Sequence, residues 1–139
     1  MEKFAHELVP GDVYDSLEIV IEPDLNQQIL FAQETFDARY VPDDGDRPAM
    51  VSPALLLQLA ANTKSPSFKL VEGTGSVLAE ASTEFLHPAY VGERLRVSWR
   101  VTEAYEKRER QYYVMEALME NADGAAILRR DLHLTFFGA

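Results

Sequence analysis

Proton chemistry in this chain rests on three histidines and 23 acidic side chains, because it contains no cysteine. Histidine titrates near neutrality and is the most frequent general acid or base. His6 stands in the opening segment, and His87 lies between Leu86 and Pro88 at the end of an extended run. His133 alternates with Leu132 and Leu134, which turns it toward solvent as a structural residue. His87 reads either as an edge-of-sheet residue or as a functional imidazole. Carboxylates concentrate between positions 37 and 48, where Asp37, Asp43, Asp44 and Asp46 share a run with two prolines and a glycine. Asp37, beside Arg39 and Tyr40, is either a loop cap, as turn aspartates commonly are, or a site carboxylate. Ser52-Pro53 opens an apolar stretch, with serine as helix N-cap and proline at the first helical position. The backbone N–H of Ser52 would stand at the positive end of that helix, able to bind a ligand oxygen. The histidines are too scattered to make three metal ligands, and no glycine-rich phosphate loop or nucleophile triad is present.

The elements that must position these residues follow from hydrophobic period. Val13 to Ile21, after the turn Pro10-Gly11-Asp12, has the composition of a short strand. Asp24 is suited to cap a helix over Leu25 to Thr35, with Leu25, Ile29, Ala32 and Phe36 on one face. Residues 37–48 form a loop. The stretch Ser52 to Ala61 is apolar nearly all round, Gln58 excepted, and should be buried. Beyond Pro66 the period changes to two. Val77, Ala79, Ala81, Thr83 and Phe85 alternate with Leu78, Glu80, Ser82, Glu84 and Leu86, and Leu95, Val97, Trp99 and Val101 alternate with Arg96, Ser98, Arg100 and Thr102. Strands over Gln111 to Glu120 and Ala125 to Phe136 flank the turn Asn121-Ala122-Asp123-Gly124. Helices followed by an antiparallel meander predict one α+β domain over residues 1–139, its long sheet wrapped around the apolar helix.

The formal net charge of −10 disfavours a nucleic-acid or anionic-membrane partner. The start Met1-Glu2-Lys3-Phe4-Ala5-His6 lacks a secretory pattern, and with no cysteine this fits a cytoplasmic protein.

The run Glu84-Phe85-Leu86-His87-Pro88-Ala89-Tyr90-Val91-Gly92-Glu93-Arg94-Leu95 carries a family likeness. So do Val101-Thr102-Glu103 with Lys107, the hairpin Glu120 to Gly124, the opening Gly11-Asp12 and the loop Arg47-Pro48. In order and spacing these phrases resemble the MaoC-like, (R)-specific enoyl-CoA hydratase-like proteins of the hotdog fold. The resemblance implies acyl-CoA or acyl-carrier thioesters as substrate, no further cofactor, and dimers that extend one sheet into another. It places Asp37 at the family's catalytic aspartate and Ser52 at the donor for the thioester carbonyl, with Tyr40, Met50 and Val51 lining the substrate path. The catalytic histidine should fall near Pro42, and no histidine lies between His6 and His87. The carboxylate that related thioesterases carry on the central helix is also missing, since Gln58 stands there alone. Two readings stay open: a hydratase or dehydratase working through Asp37, and a non-catalytic hotdog subunit that binds an acyl chain or pairs with a catalytic partner, as a homodimer or a hotdog heterodimer. The run Glu106-Lys107-Arg108-Glu109-Arg110 is a solvated hairpin turn or a contact for coenzyme A phosphates.

Overall fold

The computed structural model describes residues 3–42 and 47–138. Strand β1 (Leu17–Val20) leads to helix α1 (Pro23–Ala32), then helix α2 (Pro53–Leu59). Four long strands follow: β2 (Gly75–Phe85), β3 (Arg94–Lys107), β4 (Arg110–Asn121) and β5 (Ala126–Phe137). They form one antiparallel sheet in the order β1-β3-β4-β5-β2.

The alternation in β3 places Leu95, Val97, Trp99 and Val101 on the inner face, each 1% exposed or less. Met115, Ala117 and Met119 from β4 and Leu128, Leu132 and Leu134 from β5 join them in one core with Leu55, Leu56 and Leu59 of α2. Burying an apolar face of this size is the main term holding the curled sheet to the helix. Two polar bonds set the helix in place. The Trp99 indole N–H donates to the Ala60 carbonyl at 3.2 Å, and the Arg130 guanidinium donates to the Leu57 carbonyl at 3.0 Å. Both satisfy carbonyls of the last turn that the helix leaves open, and the Arg130 charge also opposes the negative end of the helix. Arg130 reaches Leu57 from the inner face of β5, and burial lowers its pKa. This is the sheet wrapped around a central helix that the sequence implies.

Four expectations are corrected. The first strand is shorter than Val13 to Ile21. Val13 makes one isolated bridge to Arg100, and pairing with β3 is interrupted at Asp15, whose backbone N–H and carbonyl are taken by Ser67 and Ser65, each at 2.8 Å, before it resumes at Leu17. Helix α1 starts two residues earlier, with Glu22 at the N-cap and Pro23 at the first position, so Asp24 lies inside its first turn. It stops at Ala32 because Glu34 adopts a left-handed φ of 53°. The bonds Glu34 N–H to Phe31 and Thr35 N–H to Leu30 close the end in a Schellman arrangement. Phe36 is therefore off the helical face and 65% exposed, and the buried positions of α1 are Asn26 and Leu30.

Helix α2 is buried along one face only, with Pro53 and Gln58 exposed and Ala54 and Leu57 half-buried. Lastly, the simple alternation of β2 is broken by an irregularity between Leu78 and Glu80. Leu78 pairs with Leu134 before it and Ala81 with Leu132 after it, so Ala79 is the extra residue.

Candidate functional site

Asp37 opens the loop after α1 and is closed on its neighbour. Arg39 Nε reaches Asp37 Oδ1 at 2.9 Å and Arg39 Nη2 reaches Oδ2 at 3.1 Å, a bidentate pair. The backbone N–H of Arg39 adds a third bond to Oδ1 at 2.9 Å. These contacts, the guanidinium first, hold the Asp37 carboxyl down at about 2. The side chain is 44% exposed, so it is a surface anion already satisfied by cation and amide. Such a carboxylate is a poor proton acceptor, since a base works best with a pKa near the operating pH. In a carboxyl-carbon NMR titration Asp37 is expected to stay ionised down to about pH 2. Arg39→Gln should return it toward the ordinary value of about 3.9. Because the folded value is depressed, any stability from this pair is present at neutral pH and lost as pH falls toward the folded value. Salt screens it, as for other exposed pairs.

Ser52 sits at the entrance of α2, 1% exposed, but its side chain does not cap the helix. Its hydroxyl turns to Gln33 Oε1 at 3.3 Å. The backbone N–H, the expected donor to a ligand, gives its hydrogen to Asn26 Oδ1 at 2.8 Å. Asn26 Nδ2 in turn donates to the Met50 carbonyl at 3.0 Å. Asn26 is 1% exposed, and its amide dipole matches the two main-chain groups it meets. It clamps the segment Met50–Ser52 onto α1. The sequence reading missed this residue. Its signal was a polar amide four residues before Leu30, on the face that proves to be buried.

The clamped segment divides the expected substrate path in two. On one side, Tyr40 lines a cleft of about 340 Å³ with Asn26, Leu30, Phe31, Val41 and Arg47. Arg39 lies over the Tyr40 ring at 5.8 Å, and Arg47 Nη2 donates to the Ala38 carbonyl at 3.2 Å. On the other side, Met50 and Val51 line an open groove of about 210 Å³ with Leu56, Phe85, Leu86 and His87. Val51 itself is 2% exposed and bonded through its N–H to Ala89. Asp37 lines neither space. The five expected site residues, Asp37, Tyr40, Met50, Val51 and Ser52, are thus neighbours in the chain that do not converge on one reaction centre. The alternative carboxylates Asp43, Asp44 and Asp46 lie outside the described residues.

His87 is exposed, with Nδ1 at 2.9 Å from the Ala126 carbonyl. A carbonyl only accepts, so Nδ1 carries the proton. His133 stands on the outer face as expected, 2.9 Å from the Tyr105 hydroxyl. Among the described residues no three His, Asp or Glu side chains come together as a metal site. No helix there is long and apolar enough to cross a membrane.

No protein-family model matches the chain, and no curated protein matches it by sequence. Solved structures match it closely in shape. The MaoC-like dehydratase from Rhodospirillum rubrum superposes with a TM-score of 0.73 at 16% identity, covering 99% of this chain and 98% of that one. The (R)-hydratase of A. caviae involved in PHA biosynthesis gives 0.70 at 15%, covering 94% and 98%. The C-terminally truncated HadBC complex, a (3R)-hydroxyacyl-ACP dehydratase from Mycobacterium tuberculosis, gives 0.73 at 16%, covering 92% and 97%. The chain has the hotdog fold of these dehydratases and hydratases. At such identity the likeness concerns the fold and leaves the activity to the residues of this chain.

Proposed function

We propose that this chain is a non-catalytic hotdog subunit of an assembly acting on acyl thioesters. In this reading it contributes sheet and apolar walls, while a second hotdog chain contributes the acid–base pair. The carrying observation is the Ser52 N–H, which is already bonded to Asn26 Oδ1 at 2.8 Å. Stabilising enolate charge on a thioester needs preorganised donors free to meet it, and here the donor meets an internal amide. Two further facts point the same way. Asp37 is neutralised by Arg39, and Pro42 stands where the resemblance expects a histidine. No cofactor enters this reading, and a coenzyme A thioester substrate fits the cytoplasm.

The pairing edge in this proposal is β2. It is one of the two edge strands of the sheet, eleven residues long and exposed on both faces along most of its length. Long unprotected edges invite another strand. The HadBC structure is described as a complex, and a partner of that kind, or a second copy of this chain, would meet β2 here.

The test is the enoyl-thioester absorbance of trans-2-enoyl-CoA on mixing with purified protein. The expected result is no decay with this chain alone at high protein concentration. A decay that Asp37→Ala abolishes and His133→Ala leaves intact would overturn the proposal and establish a hydratase with a rebuilt acid–base site.

A further inference from the structure

The hairpin joining β3 to β4 contradicts the interests of the fold at three neighbouring points. Arg108 and Glu109, its two loop residues, adopt φ of 50° and 65°. A two-residue turn with both φ positive favours Asn-Gly or a similar pair, because L side chains crowd the backbone there. Lys107 and Arg110 are direct cross-strand partners, and like charges placed opposite each other repel. On a chain of net charge −10, Lys107, Arg108 and Arg110 nonetheless make no ion pair among the described residues.

The adjoining outer face is aromatic and fixed. Ala104 and Tyr113 pack toward the core, so alternation turns Tyr105, Lys107, Arg110 and Tyr112 outward together. Tyr105 and Tyr112 stack with centroids 5.1 Å apart and planes 7° from parallel. The Tyr105 hydroxyl is pinned to His133 Nδ1 at 2.9 Å, which also lies near Glu80 at 3.9 Å. Both tyrosines are half-buried. A rigid aromatic platform, with the Glu80 and Glu103 carboxylates near its Tyr105 side, therefore ends at two cations that make no ion pair among the described residues, roughly 40 Å along the strands from the Arg94 end of β3 at about 3.3 Å per residue. Departures from local consistency concentrate where a protein binds something.

We infer that the Tyr105–Tyr112 platform and the Lys107–Arg110 pair form a binding site for a nucleotide-type phosphoanion. The base would extend the tyrosine stack, and the phosphate would separate the two like charges. Base–aromatic stacking tolerates any base. The strong overall negative charge disfavours a long polyanion, so the ligand class is a small nucleotide and not a nucleic-acid strand. The site lies apart from the α1–α2 cleft and does not depend on the acyl-thioester reading.

The test is titration of the full chain with adenosine 5′-diphosphate, adenosine, pyrophosphate and a short single-stranded oligonucleotide, followed by amide NMR. The expected result is a saturable shift of residues 105–112 with the diphosphate, weaker with adenosine or pyrophosphate. Tyr112→Ala should weaken it by about 10-fold or more, as loss of one base–aromatic stack does, and Tyr112→Phe should keep it. Lys107→Gln/Arg110→Gln should also abolish most of the binding while melting no lower than the parent, because a repulsion is removed. Absence of a saturable shift at millimolar diphosphate overturns the site. Equal binding of pyrophosphate with no effect of Tyr112→Ala overturns the nucleotide class, as does an oligonucleotide that binds far more tightly. A double variant that melts lower than the parent overturns the argument from repulsion.

Discussion

Asn26→Ala is expected to lower the free energy of unfolding by about 3 kcal/mol, since it strips the partner from one buried and one part-buried main-chain group at roughly 1–3 kcal/mol each. Those groups are the Ser52 N–H and the Met50 carbonyl. Denaturant unfolding with an unchanged slope would read the loss directly. Asn26→Asp separates the two bonds. A carboxylate still accepts from Ser52, but it confronts the Met50 carbonyl with negative charge in a buried place. Burial and that carbonyl raise the carboxyl above its unfolded value of about 3.9. A raised value makes the stability contribution complete at low pH, where the protonated acid donates to Met50 and mimics the amide. The contribution is lost as pH rises through the folded value. Asn26→Asp should therefore be close to the parent at pH 3 and well below it at pH 7, while Asn26→Ala is low at both. Equal losses at the two pH values would show that Met50 and Ser52 find other partners. Freeing the Ser52 N–H by Asn26→Ala is not expected to create hydration, because Asp37 remains bound to Arg39 and supplies no base.

The parts of this architecture legible in sequence are those in which one face of a regular element meets the core. Leu95, Val97, Trp99 and Val101 alternate in the chain and are buried together. The Asn121–Gly124 turn forms where its residue types demand it, with Asn121 Oδ1 accepting from the backbone of Asp123 and Ala125, both at 3.0 Å. Reading failed where tertiary partners override local preference. Nothing in the sequence marks Glu34 as the left-handed helix terminator, a position that favours glycine or asparagine. Asn26 is polar by type, and only its bonds to Met50 and Ser52, far along the chain, make it a core residue. In β2 the irregularity after Leu78 is a property of its pairing with β5, invisible in β2 alone. The site shows the same division. Asp37 could be recognised as a loop carboxylate by type, yet its chemistry is set by the guanidinium two residues on. Tyr40, Met50 and Val51 could be recognised as wall residues, yet which wall each belongs to depends on where Asn26 clamps the chain.

Phe85→Lys is expected to raise the dissociation constant of a self-associated form by about 100-fold or more while leaving the melting temperature of the isolated chain nearly unchanged. The sheet has two edges, β1 of four residues and β2 of eleven. The longer edge carries only Glu80 and Glu84 as charges, with neither lysine nor proline to repel another strand. Val77, Leu78, Phe85 and Leu86 along it are 45–51% exposed. Phe85 pairs with Leu128 on the core side of β5, so a strand added at this edge would cover its ring. In a two-fold pairing each substitution counts twice. Phe85 is 51% exposed, so about half of the roughly 1.5–3 kcal/mol of a fully buried phenylalanine is gained per copy, about 1.5–3 kcal/mol for two. Desolvating two lysine ammoniums at the joint adds what is still needed for the roughly 2.7 kcal/mol of a 100-fold change. Val13→Lys, 61% exposed beside the β1 edge, is the control and should not alter association. Sedimentation equilibrium distinguishes the outcomes. A parent that stays monomeric at high concentration removes the second copy as the occupant of β2 and leaves the edge to a different hotdog chain. A Phe85→Lys protein that associates as tightly as its parent removes β2 as the pairing edge altogether.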